Sequence, residues 1–284
     1  MVGRIVNVAG GRRLRGMDDA EVQAQRWMWA AGDYSSIAQR LLPISVETVE
    51  AVGIGQGDLV LDVGVGDGNA SIEAARRGAV VTGVDLTPEQ VERATARAAK
   101  GGIELDLRVG NAEHLEFDDG GFDVVVSVMA AIFAPDHQAA AREMARVSRG
   151  TVAMTAWAND GWSTSWKARA QALVPVPPAG GSDPDAWGVP ETMQARLETA
   201  GLQDVQVEVR DFHWTFPSTE DAADFFVTHA GPFIAFRHAA DAAGNGDKVR
   251  GEVIAALDEW NQAVDGSLKV PAPYLLGRGA KPTG

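Results

Sequence analysis

The stretch Leu59-Val60-Leu61-Asp62-Val63-Gly64-Val65-Gly66-Asp67-Gly68 restricts the possible folds more than any other part of the chain. Leu59 to Val63 is apolar except for Asp62, and a continuous apolar run of this length suits a strand covered on both faces. Gly64, Gly66 and Gly68 then permit positive φ and keep a Cβ from standing between backbone and ligand. The segment from Asn69 reads as a helix that stops at Gly78. A glycine turn between a buried strand and a helix lies at the carboxyl end of a sheet, where open α/β folds bind ligands. A G-x-G-x-G spacing also arises by chance in a chain with 32 glycines, so the strand and helix around it carry the argument.

Strand and helix patterns go on alternating. Ala79 to Val84 is a second strand ending in Asp85, where a carboxylate can accept from both hydroxyls of an adenosine ribose, and Thr87-Pro88 opens the next helix. Ile103 to Val109, Phe122 to Ser127 and Thr151 to Ala156 read as the third, fourth and fifth strands, with helices over Glu89 to Lys100 and Ala139 to Val147. Over residues 58–156 this alternation predicts an α/β fold with a doubly wound, mostly parallel sheet and right-handed crossovers.

These residues resemble the class I S-adenosylmethionine (SAM) dependent methyltransferases. The resemblance is carried by the glycine loop after an acidic strand, by Asp85, by Asn111-Ala112-Glu113-His114-Leu115-Glu116-Phe117 and by Phe122-Asp123 in the fourth strand. It implies a Rossmann-like seven-stranded sheet with an antiparallel last strand, N-terminal helices, and a helical lid inserted in the C-terminal half. SAM is the implied cofactor and S-adenosylhomocysteine (SAH) its product. The implied cofactor residues are Tyr34, Asp62, Gly64, Val65, Gly66, Gly68, Asp85, Leu86, Asn111, Ala112, Glu113 and Ser127. Asn111 stands where the family usually has Asp, and its amide oxygen is expected to take over the contact with the adenine amino group. Arg146 to Gly150 is a shortened form of the family's turn, lacking its proline. A nicotinamide protein would want Gly or Ala at the sixth fingerprint position, which here is Asn69.

Methyl transfer from a sulfonium needs an acceptor held in line behind the methyl carbon more than it needs covalent catalysis. Tyr34, Met129, Phe133, Trp157, Trp166 and His229 are the expected acceptor residues, Tyr34 being placed in a loop between the first two helices. Trp27 and Trp29 are read as packing residues. No catalytic base is assigned: the family's usual His positions fall on Ile132 and Phe133, and His137 is expected to be solvated at a helix start. No His, Asp and Glu grouping has metal-ligand spacing.

The remaining expectations are coarser. Residues 1–16, with four arginines among glycines, read as a flexible arm. Residues 17–284 read as one domain with a core over 55–156 and lid or substrate elements at 17–52, 157–200 and 211–265. Ser36 to Val52 is expected to break near Pro43, Asp221 to Ala240 to be one helix, and Tyr274 to Ala280 the last strand. A net charge of -14 argues against a nucleic-acid partner, and no stretch has the roughly twenty apolar residues of a membrane span. Without Cys or a signal peptide the chain defaults to the cytoplasm. The oligomeric state is left open. Two functions follow: methylation of a small, largely apolar, aromatic molecule, or a SAM-binding protein of the same fold that performs no transfer or a different reaction.

Overall fold

The computed structural model describes residues 19–174 and 183–282. The expected arm over 1–16 lies outside them. Two helices come first, α1 (Asp19–Ala30) and α2 (Tyr34–Ala51). The alternating half follows as β1 (Leu59–Val63), α3 (Asn69–Arg76), β2 (Val80–Asp85), α4 (Pro88–Lys100), β3 (Asp106–Val109), β4 (Phe122–Val128), α5 (His137–Val147) and β5 (Ser148–Trp157). The rest comprises α6 (Trp162–Leu173), α7 (Pro190–Thr199), β6 (Gln203–Arg210), β7 (His213–Phe216), α8 (Thr219–His229), α9 (Gly231–Ala242), α10 (Val249–Trp260), β8 (Leu268–Pro271) and β9 (Tyr274–Ala280).

Seven strands form one sheet in the order β3-β2-β1-β4-β5-β9-β6. The pairs from β3 to β5 are parallel, and β9 runs antiparallel between β5 and β6. β1 lies near the middle with Val60, Leu61 and Val63 fully buried, which is why its sequence is apolar without alternation. One apolar cluster packs α2 and the C-terminal helices on one face of the sheet; a second packs α5 and α7 on the other. The order reverses between β1 and β4, so the ends of β1 and β4 flank a crevice at the switch point.

Four local expectations change. Pro43 sits inside a continuous α2: the burial of Ile37, Leu41, Ile44 and Val49 outweighs the one backbone hydrogen bond that proline removes. Tyr34 is the first residue of α2 rather than a loop residue, behind an N-cap in which Asp33 accepts from the Ser35 N–H. The long helix expected over Asp221 to Ala240 is broken into α8 and α9 at Ala230, where Pro232 starts a new first turn. The shortened turn after α5 is absent altogether, since Ser148 begins β5 directly; Gly150 is required there, because a Cβ would strike the Asp123 carbonyl. Between β6 and β9 an insertion of α8, α9 and α10 carries a small β7–β8 sheet that the residue pattern did not suggest.

Candidate active site

The glycine turn is tight for identifiable reasons. Gly64, Gly66 and Gly68 have φ of 81°, 52° and 84°, a region that other residues enter only with strain. A Cβ on Gly64 would collide with Ala130, and one on Gly66 would come within 3.1 Å of the Tyr34 ring. Asp85 braces the loop: its Oδ2 accepts from the Gly66 N–H at 2.9 Å and its Oδ1 from the Thr87 N–H at 2.9 Å. Beneath the loop, Asp62 accepts from the N–H and hydroxyl of Ser71 at 3.1 and 2.7 Å.

A cavity of about 100 Å³ opens over this loop. Val63, Gly64, Gly66, Asp85, Leu86, Asn111 and Ala112 form its floor from the ends of β1, β2 and β3. Gln25 and Trp29 of α1 roof it, while Tyr34, Met129 and Phe133 close one end. α1 is tied down by Arg26, whose Nε donates to the Leu86 carbonyl at 2.9 Å, and by the Trp29 carbonyl, which accepts from Gln90 at 3.1 Å.

A second cavity, of about 310 Å³, adjoins the first. Its walls are aromatic: Trp29, Tyr34, Phe133, Trp157, Trp162, Trp166, Trp214, Phe226 and Phe233. These rings brace one another, with Trp166 on Phe233 at 5.1 Å, Trp162 on Phe226 at 5.0 Å and Phe226 on Phe233 at 5.4 Å between centroids. Besides the Tyr34 hydroxyl, the polar side chains that line it are those of Asp160, Ser163, Lys167 and Asp185, and Lys167 is paired with Asp183 at 2.9 Å and with Asp185. Trp29, Tyr34, Met129 and Phe133 line both cavities. Met129 has a φ of 53°, a left-handed conformation for a non-glycine residue, and its N–H donates to the Thr155 hydroxyl at 3.0 Å.

Neither cavity has a histidine among its described lining residues. Burial and the carboxylates of Asp85, Asp67 and Asp62 push the Tyr34 phenol well above its ordinary pKa, so it keeps its proton at neutral pH. Burial also raises Asp85, against the pull of its two backbone hydrogen bonds. His137 is not solvated as expected: Trp187 covers it at 5.5 Å between centroids and it is 9% exposed. Burial lowers its pKa, and the ring is hydrogen-bonded to the Ile132 backbone, so the imidazole anchors the turn after β4. Among the described residues no group of three or more His, Asp or Glu side chains is placed to hold a metal ion.

Most of the residues singled out from sequence converge here, and four do not. Ser127 is buried with its hydroxyl donating to the Val63 carbonyl and accepting from the Ala131 N–H, so it joins β4 to β1. Glu113 turns away, its Oε1 accepting from the Asp136 N–H at 2.7 Å. Gly68 starts α3 and lines neither cavity. His229 lies outside the aromatic wall, stacked on Phe225 at 4.8 Å with Nδ1 near the Phe225 carbonyl. Asp62 and Val65 border a small neighbouring pocket of about 30 Å³ with Tyr34, Gly64 and Gly66. Trp29, read as packing, borders both cavities, and Gln25 and Gln90 also face the first one. Trp214, Phe226 and Phe233 went unselected because only the insertion's tertiary fold brings them beside β4.

Comparison with known proteins agrees with this geometry. Residues 60–150 match the family described as methyltransferase domain. An uncharacterized protein of Mycobacterium tuberculosis is 39% identical over 244 residues, 84% of this chain and 86% of the relative. The 2-methyl-6-phytyl-1,4-hydroquinone methyltransferase of Synechocystis is 35% identical over 173 residues, 57% of this chain and 51% of that enzyme. Among solved structures, the YcgJ protein of Bacillus subtilis superposes with a TM-score of 0.57 at 21% identity, over 84% of this chain and 99% of that one, and shows the same fold. The chain belongs to the class I S-adenosylmethionine-dependent methyltransferases, enzymes that transfer a methyl group from this cofactor.

Proposed function

We propose that the acceptor is a small, largely apolar, aromatic molecule bound in the cavity of about 310 Å³, with SAM in the smaller cavity beside it. The observation that carries this reading is the shared wall: Trp29, Tyr34, Met129 and Phe133 face both spaces, so an acceptor and a donor would meet across them. The residues of the smaller cavity fit the cofactor. Gly64 and Gly66 line it with backbone that carries no side chain, and Asp85 keeps a free lone pair on each oxygen for ribose hydroxyls. Leu86 and Ala112 offer apolar contact for a flat base. Asp62, Val65 and Tyr34 stand at the amino-acid end, about the adjoining small pocket.

Bound SAM supplies the electrophilic methyl group. The protein's own part is to orient and to dry. Tyr34, protonated and wedged against Gly66, positions groups as a donor and removes no proton. The stacked rings exclude water and hold a planar acceptor in one plane, which limits the orientations it can adopt. Neither cavity has an imidazole among its described lining residues, which suits an acceptor atom that is nucleophilic unaided. The Synechocystis relative is named for a phytyl-substituted hydroquinone, an acceptor of apolar and aromatic character.

A screen of aromatic metabolites and peptides with methyl-labelled SAM tests the reading. Aromatic metabolites should be methylated, and Trp166→Ala, which removes a wall of the larger cavity alone, should lower kcat/KM for the true acceptor about tenfold or more, from roughly 1.5–3 kcal/mol of lost apolar burial. Methylation of peptides alone, unchanged in Trp166→Ala, would contradict it.

A further inference from the structure

The charges that line the larger cavity do not balance. Apart from the Tyr34 phenol, its ionisable lining side chains are Asp160, Lys167 and Asp185. Lys167 is already held by two carboxylates, Asp185 and, at 2.9 Å, Asp183. Asp160 has no such partner. Among the described residues its carboxylate makes no ion pair and accepts one hydrogen bond, from the Gly161 N–H to Oδ1 at 2.7 Å. Oδ2 therefore keeps its lone pairs for a ligand. Asp160 stands just before α6, and Ser163, Trp166 and Lys167 follow at helical spacing, so one face of α6 runs along the cavity.

The same cavity is lined by five tryptophans, Trp29, Trp157, Trp162, Trp166 and Trp214. Indole attracts a cation to its face more strongly than the other aromatic side chains do, and the attraction grows as water is removed. An anionic group entering here finds no cation free to pair with it, whereas a positive group finds both a carboxylate and indole rings. Asp160, Trp162 and Trp166 line only the larger cavity, while Tyr34 and Met129 line both. A cation paired with Asp160 thus lies apart from the donor side and serves recognition, not the transfer itself.

We propose that the acceptor carries a protonated amine at a distance from the atom that is methylated, and that Asp160 selects for it, with the indole walls adding cation–π attraction. The acceptor class narrows from an aromatic molecule to an arylalkylamine, which rests on the acceptor placement proposed above.

Calorimetric titration of the SAH-loaded enzyme by tryptamine and by 3-propylindole tests it, the second probe carrying a methyl group in place of the ammonium. Burial of apolar surface alone favours 3-propylindole, so a preference for tryptamine reports recognition of the charge. The wild type should bind tryptamine at least threefold more tightly, the size expected of one exposed ion pair with a cation–π contribution. Asp160→Asn keeps an oxygen for the Gly161 N–H but loses the charge, and should cut the preference at least threefold without changing the affinity for 3-propylindole. Asp160→Ser, which also keeps an oxygen there, gives the same reading should the first variant not fold. A smaller preference in the wild type would overturn the inference, and so would a folded variant that retains the preference. Tighter binding of 3-propylindole than of tryptamine would leave the aromatic acceptor standing and overturn this inference alone, whereas binding of neither probe would overturn both.

Discussion

Asp62 illustrates how one residue can serve the fold at an electrostatic cost. It is 2% exposed, and burial pushes its carboxyl up to about 6 even though Ser71 supplies two hydrogen bonds that pull the other way. Because the folded value lies above the unfolded value near 3.8, the native state holds the proton more tightly. The associated stability is complete below about pH 4 and is lost as the pH rises through about 6, a change of at most about 3 kcal/mol. Asp62→Asn retains an oxygen for Ser71 and has no charge to desolvate. Its melting temperature relative to wild type should therefore rise between pH 4.5 and pH 7.5. A difference that stays flat or falls over that range in thermal denaturation would show that Asp62 is ionised at little cost. Asp62, Gly64, Gly66 and Asp85 were legible in the sequence because a buried strand followed by a glycine turn leaves few alternatives. Ser127 and Glu113 lie in the same motifs, but residue type does not reveal that their polar atoms are consumed by backbone partners.

At the scale of elements, α1 lies over the smaller cavity. It is held by Arg26, which reaches the Leu86 carbonyl, by Gln90, which reaches back to Trp29, by the Trp29–Phe133 and Trp27–His238 ring contacts, and by Gly231 of α9, which sits so close to the Met28 carbonyl that a Cβ there would clash. On the proposed cofactor placement, exchange would require this roof to move. Arg26→Ala removes a charged donor worth about 1.5 kcal/mol and should speed SAH dissociation about tenfold, read by stopped-flow displacement. An unchanged dissociation rate would mean that α1 does not gate exchange. The periodic pattern revealed α1 and its approximate bounds, as it did the strands from β1 to β5. It did not reveal that Pro43 would be tolerated or that α8 and α9 would part at Ala230, because both depend on what each helix packs against. The β7–β8 pairing joins Trp214 to Val270 across more than fifty residues of chain, a contact with no local signature.

Across the whole molecule, two unlike compartments share one wall. The smaller is floored by glycines, Asp85 and Asn111 at the ends of three parallel strands. The larger is built of aromatic rings from α1, α2, β5, α6, β7, α8 and α9, elements far apart in sequence. That division was only half legible in advance: the strand-end motifs were local, whereas the aromatic wall draws on the insertion. On the proposed function Asp85 serves the cofactor and Trp166 the acceptor. The most direct measurement is calorimetric titration of SAH into the wild type, Asp85→Ala and Trp166→Ala, each confirmed folded by circular dichroism. Asp85→Ala should weaken SAH about tenfold or more, since it loses both the ribose acceptor and the brace on Gly66, while Trp166→Ala should bind SAH as the wild type does. SAH affinity unchanged in Asp85→Ala, or reduced as much by Trp166→Ala, would contradict the division of the site into a cofactor compartment and an acceptor compartment.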